Sequence, residues 1–151
     1  MTEDITFQEK ISNDLREAIK AKKTLRISCL RMLKTALKNK QAEKGSEPTD
    51  QAVQAIIATL IRKGQEAAKE FRQGGRDDMA AKEEEETKIF YEYLPEQLDS
   101  TKIEDTVSEI ISELGANGPK DLGKVMKAAL ARMAGQAQGK EVSEIAKKLL
   151  S

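Results

Sequence analysis

Arg31, Lys34 and Lys38 stand at i, i+3 and i+7, a spacing that sets guanidinium and ammonium groups in a line along one side of a helix. Lys120, Lys124 and Lys127 form a second such line, with Arg132 at its flank. Cations arranged this way meet successive phosphates of a nucleic-acid backbone. The plainer reading is a solvated helix face, because helices keep polar side chains outside. Aromatic residues add no base-stacking platform to either line. Phe71, Phe90 and Tyr93 fall on apolar faces, where they serve as core.

A second constellation is acidic. In the run Glu83-Glu84-Glu85-Glu86, two members share a helical face with Met79, Phe90 and Tyr93, so Glu83 and Glu86 point with the core residues. A carboxylate drawn inside needs a partner, and Lys63, beside the apolar stripe of the preceding helix, is the expected one. The alternative is an i, i+3 carboxylate pair serving a metal or acid–base chemistry. Helical di-metal sites use Glu-x-x-His motifs, and this chain has no His. We therefore expect a structural ion pair and no cofactor. Cys29, the single cysteine, lies on an apolar stripe; burial raises a thiol pKa, and no imidazole is present to activate it. One cysteine also excludes an internal disulfide framework and a multi-cysteine zinc site. No phosphate-cradling glycine loop, nucleophile elbow or dinucleotide fingerprint occurs.

The elements that carry these residues read as helices almost throughout. Phe7, Ile11, Leu15, Ala18 and Ile19 line a first helix that Thr6 and Glu9 can open with a capping box. A second helix over residues 24–44 buries Leu25, Cys29, Met32, Leu33, Ala36 and Leu37 and stops at Gly45. After a turn at Pro48, Thr49 or Asp50 caps a third, whose stripe is Val53, Ile56, Ile57, Leu60, Gly64, Ala67, Ala68 and Phe71. Gly64 inside that stripe costs about 1 kcal/mol of helix propensity against Ala; close approach of a neighbouring backbone explains it. Gly74-Gly75 ends this helix, and a fourth runs from about residue 77 to Leu94 before Pro95.

Beyond Pro95 the helices shorten. Asp99 or Ser100 caps one carrying Ile103, Val107, Ile110, Ile111 and Leu114, closed by Gly115. Pro119 opens another that buries Leu122, Val125, Met126, Ala129, Leu130 and Met133. The last, over residues 141–150, buries Val142, Ile145, Ala146 and Leu149. The expectation is an all-α protein: a long-helix N-terminal bundle over residues 1–95 and a small three-helix domain over 96–151.

The 26 basic and 26 acidic residues cancel in total and separate along the chain. Residues 10–44 hold eleven basic against three acidic side chains, 77–113 hold three against thirteen, and 114–151 hold seven against three. Fields of opposite sign on one small protein can orient it on a charged partner. In residues 1–24, Glu3, Asp4, Glu9 and Lys10 interrupt the stretch where a signal peptide would be apolar. No segment approaches the roughly 18 apolar residues that span a bilayer. These features set the expectation of a cytoplasmic protein with no membrane partner.

Four segments together carry a resemblance. Arg76-x-Asp78-x-Ala80-x-Lys82-Glu83-x-x-Glu86, Tyr93-Leu94-Pro95-x-Gln97-Leu98 and Asp121-Leu122-Gly123-Lys124-Val125-Met126, with Ile27 to Leu37 around Leu30-Arg31-Met32, resemble the YqeY family over nearly the whole chain. The resemblance implies two helical domains. It also implies that the second is similar to the tail of the B subunit of the tRNA-dependent amidotransferase. That tail contacts tRNA, and the chemistry of that enzyme sits elsewhere. The family label of carbon–nitrogen ligase with glutamine as amido-N-donor is therefore expected to follow domain similarity, with no catalytic centre in this chain. By position, Lys124 and Lys140 of Gly135-Gln136-Ala137-Gln138-Gly139-Lys140 are the residues carried over. Gln136 and Gln138 stand where the family commonly has Lys and Asp. The resulting expectation is a tRNA- or structured-RNA-binding module using Arg31, Lys34, Lys38, Lys120, Lys124, Lys127 and Lys140. The alternatives are an adaptor docking on a translation-related protein through its acidic stretch, and a part in glutamine-dependent amidation.

Overall fold

The computed structural model describes residues 6–151, which form seven α-helices with no strand among them. Glu3 and Asp4, used in the targeting argument, lie outside the described residues. The chain is all-α. It separates into two compact units, one ending at Tyr93 and one spanning Leu94–Ser151.

The first unit is built from α1 (Phe7–Lys20), α2 (Thr24–Lys44), α3 (Asp50–Gln73) and α4 (Asp77–Tyr91). Thr6 and Glu9 form the expected capping box: the Thr6 hydroxyl accepts from the Glu9 N–H, and the Glu9 carboxylate accepts from the Thr6 N–H. Gly45 ends α2 with φ 74°, a left-handed cap that a side chain would strain. Of the two candidates for the α3 cap, Thr49 is the one used, its hydroxyl accepting from Ala52 N–H. A three-residue link, Gly74 to Arg76, turns α3 into α4, and the two pack antiparallel along most of their length. Gln65 meets Tyr91, Gly64 meets Thr87 and Arg72 meets Glu84. The approach expected at Gly64 is present, and its partner is a side chain: a Cβ added there would lie 2.8 Å from Thr87 Oγ1. The α4 helix stops at Tyr91, short of Leu94, because its last turn tightens: Glu92 and Tyr93 N–H bond to Ile89 and Phe90 carbonyls.

The second unit holds α5 (Ser100–Leu114), a 3-10 turn over Pro119–Asp121, α6 (Leu122–Met133) and α7 (Gly139–Leu150). Asp99 caps α5 by accepting from Lys102 N–H, and Gly115 ends it with φ 61°. Its core is one row from each helix: Ile103, Val107 and Ile110; Val125, Ala129 and Met133; Val142, Ala146 and Leu150. Gln97 fastens the loop before α7, its amide donating to the carbonyls of Pro95 and Gly135 at 2.9 Å.

Five residues expected inside are outside. Ile19, Met32, Leu114, Leu130 and Leu149 are 37–49% exposed. Each lies at the margin of its apolar stripe. A helix in a small bundle covers only the central i, i+3/i+4 row, so Leu30, Ile61 and Leu150 are buried, although the sequence reading passed over them.

Candidate nucleic-acid interface

In the second unit, Lys120 sits on the 3-10 turn, and Lys124 and Lys127 follow on consecutive turns of α6. The buried row Val125–Ala129–Met133 fixes which way α6 faces and leaves the three lysines exposed. None has a carboxylate within 4.0 Å among the described residues. Gly123 lies in the same stretch with open space where a side chain would be, so this part of α6 offers bare backbone beside its ammonium groups. Arg132 is different. It is held by Glu113 at 2.6 Å, which lowers the Glu113 pKa and raises its own through the shared hydrogen bond. Lys140 is exposed in the first turn of α7, whose N-cap Gln138 makes no side-chain capping bond.

In the first unit, Arg31 and Lys38 are exposed on α2, whereas Lys34 is half-buried because α1 covers that flank. These three likewise have no carboxylate within ion-pair distance among the described residues.

Acidic residues behave otherwise. Arg72 pairs with Glu84 at 2.6 Å and reaches Asp77 at 3.8 Å; Arg76 pairs with Asp78, Lys88 with Glu85, and Arg26 with Glu92. Four of the six acids of α4, Asp77, Asp78, Glu84 and Glu85, are thus held by the chain's own bases.

The proposed partner of Glu83 and Glu86 requires correction. Lys63 is exposed and forms no ion pair with either among the described residues. Gly64, not Lys63, lies on the row of α3 that faces α4, and one residue further round the helix points to solvent. Glu86 is 8% exposed, and its pKa is raised by burial first, then by Glu83, with Lys82 opposing. No group of three or more metal-ligating side chains forms among the described residues. Cys29 is fully buried beneath α4, its thiol pushed up to about 12 by desolvation and then by Glu86. A thiol this far from ionising is no nucleophile at neutral pH.

Tyr93 does more than fill the core. Its hydroxyl donates to Asp14 at 2.6 Å and accepts from Arg26 at 3.2 Å. Phe7 meets its ring edge-on at 6.0 Å, and the Lys10 ammonium lies 5.5 Å from the ring centre. It fastens the end of α4 to α1 and α2. Burial, then the Asp14 hydrogen bond, raises its pKa. Its apolar face was readable from periodicity, but these polar partners were not, since they come from residues 67 and 79 positions away.

The arrangement is that of an all-helical protein with exposed lysine lines on α2 and on α6. Comparison then supplies the family: the Yqey-like protein family matches residues 8–150, and the chain belongs to it. Curated relatives include "Altered inheritance of mitochondria protein 41, mitochondrial" from Vanderwaltozyma polyspora. It is 27% identical over 120 residues, covering 74% of this chain and 64% of the relative. The protein of the same name from Lachancea thermotolerans is 29% identical, covering 72% and 60%. That from Saccharomyces cerevisiae strain YJM789 is 31% identical, covering 56% and 46%. The chain thus spans about three-fifths of the length of the first two relatives.

These relatives correct the expectation of a cytoplasmic protein, since each is named as mitochondrial. The expectation rested on apolar length, which separates secreted and spanning proteins from the rest and does not distinguish cytoplasm from mitochondrial interior. No helix of the described residues is long and apolar enough to cross a membrane.

Proposed function

We propose that this chain is a tRNA- or structured-RNA-binding helical protein that supplies a docking surface and no catalytic centre of its own. The observation that carries the reading is the contrast in charge pairing. Lys120, Lys124 and Lys127 are exposed without acidic partners among the described residues, while the neighbouring Arg132 and most acids of α4 are paired. Unpaired ammonium groups in a line are free to replace the counterions of a phosphate backbone. Lys140 stands apart from that line, at the uncapped start of α7 beside the start of α5, where open helix amides favour an anion of their own. Arg31, Lys34 and Lys38 offer phosphate contacts on the first unit. On this reading the likeness to the amidotransferase B-subunit tail that the family resemblance implies makes tRNA the ligand class of choice.

The test is fluorescence anisotropy of labelled tRNA with the wild-type chain and with Lys124→Glu/Lys127→Glu. Saturable binding lost in a correctly folded variant supports the reading, and equal binding by both removes it. The adaptor reading, in which the acidic stretch docks on a translation-related protein, is the second one: ion pairs engage Glu84, Glu85 and Asp78, whereas Glu96, Glu104, Asp105 and Glu109 are exposed without one among the described residues. A share in glutamine-dependent amidation would require ammonia release from glutamine in proportion to added protein.

A further inference from the structure

We propose that the cleft between α1 and α2 is a binding site for a phosphate group, held by Lys34 and Lys38 from α2 and by Gln8 and Ser12 from α1. The cleft is a small cavity of about 30 Å³, and these four residues with Ile11 and Leu37 line it. A water-sized group needs roughly 10–15 Å³ of such space, so the cavity takes about two, which suits the two non-bridging oxygens of a phosphate ester. Its floor is apolar: Ile11 and Leu37 are each 1% exposed. Contacts made over an apolar floor are less screened than on open surface.

The lining is one-sided in chemistry. Two ammonium groups stand one turn apart on α2, and an amide and a hydroxyl stand one turn apart on α1 facing them. No carboxylate lines the cavity. Glu9 and Glu47 line an adjoining hollow that shares Gln8 and Ser12 with the cleft; there Glu9 is engaged by the Thr6 N–H at 3.0 Å and Arg16 lies beside Glu47. The second observation is independent of charge. Gln8 Nε2 is a buried nitrogen without a hydrogen-bond partner among the described residues. Leaving a buried donor unmatched costs about 1–3 kcal/mol. An acceptor entering the cleft removes that cost and meets two cations. The donors favour an oxyanion, and the pair of lysines favours phosphate over a neutral acceptor.

This site does not depend on α6. Its use as an anchor for an RNA backbone rests on the reading above, whereas its affinity for phosphate does not.

The test is a side-chain amide titration of the full ¹⁵N-labelled chain, following the Gln8 NH₂ cross-peaks by NMR. Dimethyl phosphate, inorganic phosphate, acetate and sodium chloride are added at matched ionic strength. The expected result is a saturable shift of the Gln8 peaks with either phosphate form and none with chloride. Lys34→Gln/Lys38→Gln should weaken binding about tenfold or more, as loss of a charged hydrogen bond implies, and Ser12→Ala by less. A stronger response to dimethyl phosphate assigns the site to a nucleic-acid backbone; a stronger response to inorganic phosphate assigns it to the free ion. Stationary Gln8 peaks, an equal shift with acetate, or unchanged affinity in the folded double variant overturns the proposal. Phosphate binding here by a chain that fails to bind tRNA keeps this site and removes only the RNA reading.

Discussion

At the scale of single residues, Tyr93 and Glu86 show opposite solutions to placing a polar group in a small core. The Tyr93 hydroxyl is matched on both sides, donating to Asp14 and accepting from Arg26. Tyr93→Phe leaves both partners short of a hydrogen bond in a part-buried site and should destabilise the fold by about 1–3 kcal/mol, read from urea unfolding. A change under a few tenths of that size would mean that water replaces the hydroxyl. Glu86 has no ion-pair partner among the described residues, and burial raises its pKa from the usual 4.5. Because the folded state holds the proton more tightly, stability falls as pH rises through the interval above the unfolded value. Glu86→Gln should therefore be more stable than wild type at neutral pH, with the gap closing below about pH 4.5. A gap that widens in acid would show instead that the folded protein stabilises the Glu86 carboxylate.

At the scale of elements, the α3–α4 hairpin turns on one glycine. Gly64→Ala gains about 1 kcal/mol of helix propensity but places a methyl 2.8 Å from Thr87 Oγ1. Thr87 is stiff at χ1 and its hydroxyl is committed to the Glu83 carbonyl at 2.9 Å, so it yields poorly. We expect a net loss of about 1–2 kcal/mol by thermal or urea unfolding. Thr87→Ala in the same chain should recover most of it. Equal losses in the single and double variants would place the strain elsewhere. This glycine was legible in the sequence because it interrupted an otherwise apolar stripe. The caps at Thr6, Thr49, Asp99, Gly45 and Gly115 were legible for a similar reason: local hydrogen bonds and left-handed turns restrict the residue type. The margins of the stripes were less legible. Periodicity assigned Leu114, Leu130 and Leu149 to the inside, but which row of a helix is covered depends on neighbours distant in sequence, and the row through Leu150 won. Lys63 failed as a partner for the same reason, lying one position from the row that α4 meets.

At the scale of the whole molecule, equal numbers of basic and acidic residues conceal an unequal degree of pairing. The sequence exposed the charge segregation, and the structure adds that many acids are held by the chain's own arginines and lysines while the lines at Lys120–Lys127 and Arg31–Lys38 are free of such partners among the described residues. Neither Tyr93's polar partners nor the cleft between Gln8 and Lys38 could be read beforehand, because each joins helices through side chains from different segments. The central claim is that the free lysines meet phosphates. The most direct measurement is the salt dependence of tRNA affinity, log K against log salt from about 50 to 200 mM, for wild type and Lys124→Gln/Lys127→Gln. Each lysine that contacts a phosphate contributes roughly 0.7–0.9 to the slope, so the variant should be shallower by about 1.4–1.8 and weaker throughout. An unchanged slope, or no saturable binding by the folded wild type at the lowest salt, would contradict the account.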